Sequence, residues 1–249
     1  MSKNATTLKQ MFLQLRLSAF CDTYEELTNR AVRENWSYQN YLQSLCEIEI
    51  NTRASRRVER LLKNSRLPPE KSLESLDQNI LPDTVRRQLA ILLNGSFVDR
   101  AENVLVFGLP GRGKTHLVCA IARELINTHQ RTVYFSSSFR LVQKMLTAKR
   151  DFELESLLKK LDRYDVVILD DIGYVQQSAE EMEVLFTFLA ERYERRTLMI
   201  TSNLVFSQWD QIFKNPMTTA AAIDRLVHHS IILELTNESY RMKSAKKKR

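Results

Sequence analysis

Between Leu8 and Asn64 the apolar positions fall at three- and four-residue steps: Leu8, Met11, Leu15, Tyr24 and Leu27, then Tyr38, Tyr41, Leu42, Leu45 and Ile48. That spacing puts them on one face of successive α-helices, and such faces bury against a partner. No glycine interrupts the stretch, Thr23 followed by Glu26 fits a capping box, and Ser37 fits an N-cap, so a small all-helical domain is expected. Pro68 and Pro69 end it, because proline lacks the helical N–H and restricts the residue before it. A further helix is expected from Asp83 to Asn94 and Gly95, a C-terminal stop signal.

Beyond Gly95 short apolar runs alternate with helical stretches. Val104 to Phe107, Val133 to Phe135, Val166 to Leu169, Leu198 to Thr201 and Ile231 to Leu235 are strand candidates. Strands separated by helices build a parallel sheet covered on both faces, so the expected fold class is α/β, with residues 69–241 as its domain after a helical domain of residues 1–68.

The strongest chemical signal follows the first strand. Gly108, Leu109, Pro110, Gly111, Arg112, Gly113, Lys114 and Thr115 match GxxxxGK[ST] and precede a helical run from His116 to Ile126. Glycines let backbone N–H groups close around phosphates, and the helix N-terminus behind them favours negative charge. Three of the chain's five glycines lie in this loop, which argues against an ordinary turn. Lys114 is expected to pair with β- and γ-phosphate oxygens of ATP and Thr115 to ligate Mg²⁺. Val166 to Leu169 runs into Asp170 and Asp171, placing two carboxylates at a strand end: Asp170 for the metal, Asp171 for the attacking water. Aspartate is one methylene shorter than glutamate, so unassisted hydrolysis is expected to be slow. Asn203, after the run Leu198 to Thr201, is placed to hydrogen-bond water or the γ-phosphate, or else to cap a turn. Arg225 stands on a helical stretch, Ala221 to Leu226, as a candidate for a neighbour's phosphates or for a pair with Asp224.

Composition narrows the partners. With 43% apolar and 27% charged residues the 249-residue chain has globular composition, and a net charge of +7 with a pI near 9.3 favours an anionic partner such as nucleic acid. Arg53, Arg56, Arg57, Arg60 and Lys63 form either a solvated helix face or a basic ridge for DNA or a neighbouring subunit. Lys144, Lys149, Arg150, Lys159 and Lys160 alternate with acids over Met145 to Lys160, a pattern read from charge as a solvated helix. Residues 242–249 form a basic tail. Apolar runs such as Val166 to Leu169 fall far short of the roughly 20 residues that span a bilayer, and Met1 to Gln10 is polar, so a cytoplasmic protein without a membrane segment is expected. Cys21, Cys46 and Cys119 are expected as reduced thiols, and His116, His129, His228 and His229 show no metal-ligand spacing.

Taken together, the helical N-terminal region, GLPGRGKTH at 108–116, VVILDDIG at 166–173, ITSN at 200–203, AIDRL at 222–226 and SYR at 239–241 resemble the IstB and DnaC branch of AAA+ ATPases, and within it the IstB-like helpers of insertion-sequence transposition. The resemblance implies a AAA+ ATPase core in which Lys114, Thr115, Asp170 and Asp171 are the Walker pairs and Asn203 a sensor. His116 falls within the matched loop motif. It further implies Arg225 as an arginine finger acting on a neighbouring subunit's ATP and Arg241 as a second sensor on the bound nucleotide. Lys144, Lys149 and Arg150, with Arg56 and Arg57, become DNA-contact candidates. The implied partners are duplex DNA, further copies of the chain in a ring or filament with inter-subunit ATP sites, and a transposase. A helicase loader with the same core and a noncatalytic protein liganded by ATP are the competing readings.

Overall fold

The computed structural model describes residues 7–173, 178–204 and 226–237. They divide into two compact units, residues 1–60 and 61–249, with the division inside a long helix and ahead of the Pro68–Pro69 linker.

The first unit is built from α1 (Leu8–Gln14), α2 (Ser18–Arg33) and the start of α3 (Tyr38–Ser65). A capping box forms at the head of α1, where Thr7 and Gln10 exchange hydrogen bonds, and Ser37 Oγ accepts from the Asn40 amide at the head of α3. Thr23 is no cap: it lies within α2, and its hydroxyl donates to the Ala19 carbonyl at 2.7 Å, so the expected box with Glu26 does not form. Ala19, Phe20, Cys21 and Leu45 are buried, and Phe12 sits edge-on to Phe20 and Tyr24 at 5.3 and 5.5 Å. Buried Glu49 ties α3 to α2, accepting from the Ala19 amide at 2.8 Å and Arg53 Nε at 2.6 Å. Burial pushes its pKa up, but the Arg53 guanidinium and the Ala19 and Phe20 amides outweigh that and hold the carboxyl below its usual range. Much of the expected apolar face is not covered: Leu8, Met11, Leu15, Tyr38 and Leu42 remain exposed. Three helices of this size have more apolar surface than their mutual contacts hide.

In the second unit a linker with one 3₁₀ turn (Gln78–Ile80) leads to α4 (Asp83–Leu93) and the short α5 (Ser96–Asp99). Then come β1 (Asn103–Phe107), α6 (Lys114–Asn127), β2 (Val133–Ser137), α7 (Ser138–Arg150), α8 (Leu154–Asp162), β3 (Val166–Ile172), α9 (Ala179–Arg192), β4 (Thr197–Ser202) and β5 (Ser230–Glu234). The strands form one parallel sheet in the order β2-β3-β4-β1-β5. β1 and β4 are buried along their whole length, as a sheet covered on both faces requires. On one face Leu105, Phe107, Val167, Leu169, Leu198 and Ile200 pack with α7, α8 and α9. The alternating residues point the other way, and α6 lies against β1, β3 and β4, burying Leu117, Val118, Ile121, Ala122 and Leu125.

The charged stretch over Met145 to Lys160 is not a single solvated helix. It is the end of α7 and most of α8, separated by a turn in which Phe152 has a φ of 59°, and Met145 is fully buried. Behind this layer Arg192 is 1% exposed and donates to four main-chain carbonyls, those of Leu161, Tyr164, Asp165 and Thr197, so one guanidinium joins α8, the approach to β3 and the start of β4. Burial lowers its pKa to about 10.

Two outcomes are expected. Arg192→Met leaves those carbonyls without their donor, at about 1–3 kcal/mol for each buried one, and lowers stability by roughly 3 kcal/mol or more, measured as the midpoint of thermal unfolding. Because the Glu49 pKa is depressed in the folded chain, its contribution is present above the ordinary value of 4.5 and is lost as pH falls through the lowered one. Glu49→Gln therefore flattens the loss of helical circular dichroism on acidification below that value.

Candidate functional site

The site lies at the carboxyl ends of β1, β4 and β3, where open parallel sheets hold their ligands. β4 runs between the other two, and this order brings three segments distant in sequence to one point.

After β1 the chain turns at Gly108, whose φ is +154° and where a Cβ would stand 2.7 Å from the Leu235 carbonyl oxygen. Only glycine fits that approach. Gly113, with a φ of +94°, begins α6 without any side-chain cap, leaving the first amides of a buried helix directed at the loop. Arg112 donates to the Leu235 carbonyl at 2.9 Å and accepts from Asn237 at its own carbonyl, fixing the loop to the segment after β5. Lys114 is buried. Its ammonium donates to the Gly108 and Leu109 carbonyls at 2.7 and 3.2 Å and to Asn203 Oδ1.

At the end of β3 the ladder breaks. Leu169 pairs with Ile200 and Ile172 with Ser202, a register shift between them, and Asp171 takes a φ of 65°, a left-handed conformation unusual for a non-glycine residue. The irregularity directs both carboxylates into the site. Asp170 accepts from the Thr115 hydroxyl at 2.8 and 3.1 Å and from the Thr201 hydroxyl at 2.7 Å. Thr201 also accepts the Asp171 amide at 2.8 Å, supplying a partner near the break in the strand. Asp171 accepts from Asn203 Nδ2 at 2.7 Å. Asn203 thus holds Lys114 with one end of its amide and Asp171 with the other.

Lys114, Thr115, Asp171 and Asn203 line a cleft of about 340 Å³, within the range of small-ligand sites. Pro110 to His116, Asp171 and Asn203 form one wall; Lys71, Ser75, Leu76, Asp77, Ile80 and Leu81 of the linker form the other. His116 Nε2 is 3.0 Å from Ser75 Oγ and 3.1 Å from the Ser72 carbonyl, and Arg123 donates to the carbonyls of Pro68, Pro69 and Lys71, so α6 carries its own linker wall. His116 accordingly joins the loop helix to that wall. The donor set fits a Mg-nucleotide. Two hard oxygen ligands, Thr115 and Asp170, stand in contact; a lysine and uncapped amides face the same cleft; and the linker supplies Leu76, Ile80 and Leu81 for a base.

Thr201 and the linker wall were missed in the sequence. The ITSN run contained Thr201, but only strand order shows that its hydroxyl reaches Asp170. Among the DNA-contact candidates, Lys149 is paired with Glu183 at 2.7 Å, and Arg56 reaches Ser18 Oγ; Lys144, Arg150 and Arg57 are exposed. Phe152, 98% exposed between α7 and α8, is a surface aromatic beside this basic stretch that charge patterning did not single out. Arg225, Arg241 and the basic tail of residues 242–249 lie outside the described residues.

A parallel sheet in this strand order, with a P-loop after β1, two acids ending β3 and a polar residue after β4, defines an ATP-binding protein of the AAA+ fold. Residues 10–248 match the model of the IstB-like ATP binding protein family, and the chain belongs to that family. It is 42% identical over 236 residues to a protein of Sinorhizobium fredii named as an insertion-sequence ATP-binding protein, covering 94% of this chain and 79% of that one. A protein of Pseudomonas aeruginosa named as the IS21 ATP-binding protein is 35% identical over 240 residues, 96% of this chain and 90% of that one. Among solved structures, the DnaC helicase loader superposes with a TM-score of 0.59 at 16% identity, covering 68% of this chain and 98% of that one. AMPPCP-bound DnaA from Aquifex aeolicus superposes with a TM-score of 0.57 at 19% identity, covering 74% and 56%. At those identities the likeness concerns the fold. Among the described residues no helix is long and apolar enough to cross a membrane.

Thr201→Val keeps the volume and removes the hydroxyl that holds Asp170 and the Asp171 amide. Mg-dependent ATP affinity is expected to fall about 10-fold or more, the usual cost of losing a group that orients a metal ligand, with Thr201→Ser restoring most of it; equilibrium binding of a fluorescent ATP analogue reads both.

Proposed function

We propose that this chain hydrolyses ATP, assembles on DNA in an ATP-dependent manner, and serves as the helper of a transposase in insertion-sequence transposition. The observation that carries the reading is the closed set Lys114, Asn203, Asp171 and Thr115, Asp170, Thr201 at one sheet edge, in a chain whose family and curated relatives are named for ATP binding in insertion sequences.

In this reading Lys114 balances charge on the β- and γ-phosphates while the loop amides hold their oxygens. Thr115 and Asp170 would hold Mg²⁺, which would screen phosphate charge. Asp171 orients the attacking water and accepts its proton. The carboxylate of Asp171 is engaged by Asn203, so moving Asn203 toward the γ-phosphate frees it for water. Hydrolysis by a lone subunit is then slow, and alignment of the site by a neighbour accelerates it. Arg225 is the residue assigned to that neighbour contact and Arg241 to the nucleotide within its own subunit. ATP therefore favours self-association, and a ring or filament with a net positive surface grips DNA.

Relatives named for insertion sequences favour a transposase client over a helicase. A helicase loader works on single-stranded DNA and a transposition helper on its duplex target, so strand preference discriminates between the two readings. Gel shift on duplex and single-stranded DNA with ATP, ADP or no nucleotide tests the proposal. Large complexes on duplex DNA that require ATP are expected; nucleotide-independent binding by a monomer contradicts assembly, and a strong single-strand preference favours the loader. Arg225→Ala should leave ATP binding by the monomer intact and abolish DNA-stimulated phosphate release, and full activity in that variant removes its finger role.

A further inference from the structure

A second depression, of about 570 Å³, lies toward the amino ends of β2 and β3, away from the nucleotide cleft. A five-residue strand spans about 17 Å, so the two openings are separate. Five cations rim it: Lys63 and Arg66 from the end of α3 and the turn after it, Lys144 of α7, Lys160 of α8, and Arg163 just before β3. All five are exposed and no carboxylate is among the lining residues. Among the described residues none of the five forms an ion pair, whereas the nearby acids are engaged: Asp162 with Arg195 at 2.7 Å, Asp165 with Arg196 at 3.1 Å, and Glu155 with Lys159 at 2.6 Å.

The floor explains why these charges stay together. Tyr134 is 5% exposed and packs at 5.2 Å against Tyr164. The Arg66 guanidinium lies 5.3 Å and the Lys144 ammonium 6.0 Å from the centre of the Tyr134 ring, and Arg66 also donates to the Tyr134 hydroxyl at 3.4 Å. The electron-rich ring of Tyr134 thus attracts two like charges. Burial lowers the Lys144 pKa, and the charges of Arg66 and Lys160 lower it further. Ordinary surface lysines spread into solvent; here repulsion is retained, and an anion in the depression relieves it. The cations are exposed at an open rim, where a lone small anion is screened by salt, while a polyanion gains from every contact through counterion release.

We propose that this depression is a phosphate-binding site that grips the backbone of nucleic acid, distinct from the nucleotide cleft. The inference rests on the proposed DNA-binding function and assigns it a contact surface that joins Lys63 of the basic ridge and Lys144 of the DNA-contact candidates to Arg66, Lys160 and Arg163.

The test uses the full chain with Mg-ATP and duplex DNA. The triple variant Lys144→Gln, Lys160→Gln, Arg163→Gln should keep wild-type ATP affinity and melting temperature. Each phosphate contact removed should reduce the magnitude of the negative slope of log affinity against log salt by about 0.9, so a slope shallower by roughly 2–3 is expected. In the wild-type chain, DNA should protect Lys63, Lys144 and Lys160 from amine acetylation read by mass spectrometry, and millimolar inorganic phosphate should not. An unchanged salt slope in the triple variant, or no protection by DNA while the wild-type chain binds it, overturns this site and leaves the proposed function standing. Equal protection by phosphate alone makes it a small-anion site and overturns the nucleic-acid assignment. Failure of the wild-type chain to bind DNA at all removes both.

Discussion

Asp170 and Asp171 stand where β3 stops pairing regularly, and the nucleotide site is arranged around that break. A regular strand would send two successive side chains to opposite faces of the sheet. The register shift and the left-handed backbone of Asp171 bring both carboxylates to the edge instead, at a local cost of order 1–3 kcal/mol. Thr201 offsets part of it, since one hydroxyl receives the Asp171 amide and donates to Asp170. The strain is held by β4, the strand whose end also places Asn203 against Asp171.

Strand order makes the rest possible. With β4 between β3 and β1, the P-loop after β1 faces the acids near the end of β3 across the width of one strand, and Asn203 spans the gap from Lys114 to Asp171. A displacement of Lys114 is therefore felt directly at Asp171, the acid proposed to orient the attacking water. One amide side chain links those two groups, which supports the proposed dependence of hydrolysis on neighbouring subunits, and His116 and Arg123 hold the linker wall against the helix that follows the P-loop.

Much of this was legible in the sequence because it is local. The P-loop glycines, the apolar strand runs and the prolines each act within a few residues, and the parallel α/β sheet with a P-loop after β1 follows from them. What could not be read depended on contacts between distant segments. Thr201 looked like any strand threonine until β4 lay beside β3, and Lys71 to Leu81 looked like linker until α6 folded against it. The Thr23 to Glu26 spacing suggested a helix start where α2 is already running, because Thr23 bonds back to Ala19 instead. Charge patterning treated Lys144 and Lys149 alike; the fold gives Lys149 a carboxylate and sets Lys144 over a tyrosine ring.

ATP-dependent assembly requires a triphosphate held by the main chain of one loop, with Lys114 and a carboxylate-anchored cation balancing its charge. Titration calorimetry of the purified chain with ATP, in the presence and absence of Mg²⁺, beside the Lys114→Ala form, measures this directly. Binding at one site per chain that needs Mg²⁺ and disappears with Lys114→Ala is the predicted result; equal heats from both proteins, or none from the wild type, would contradict it.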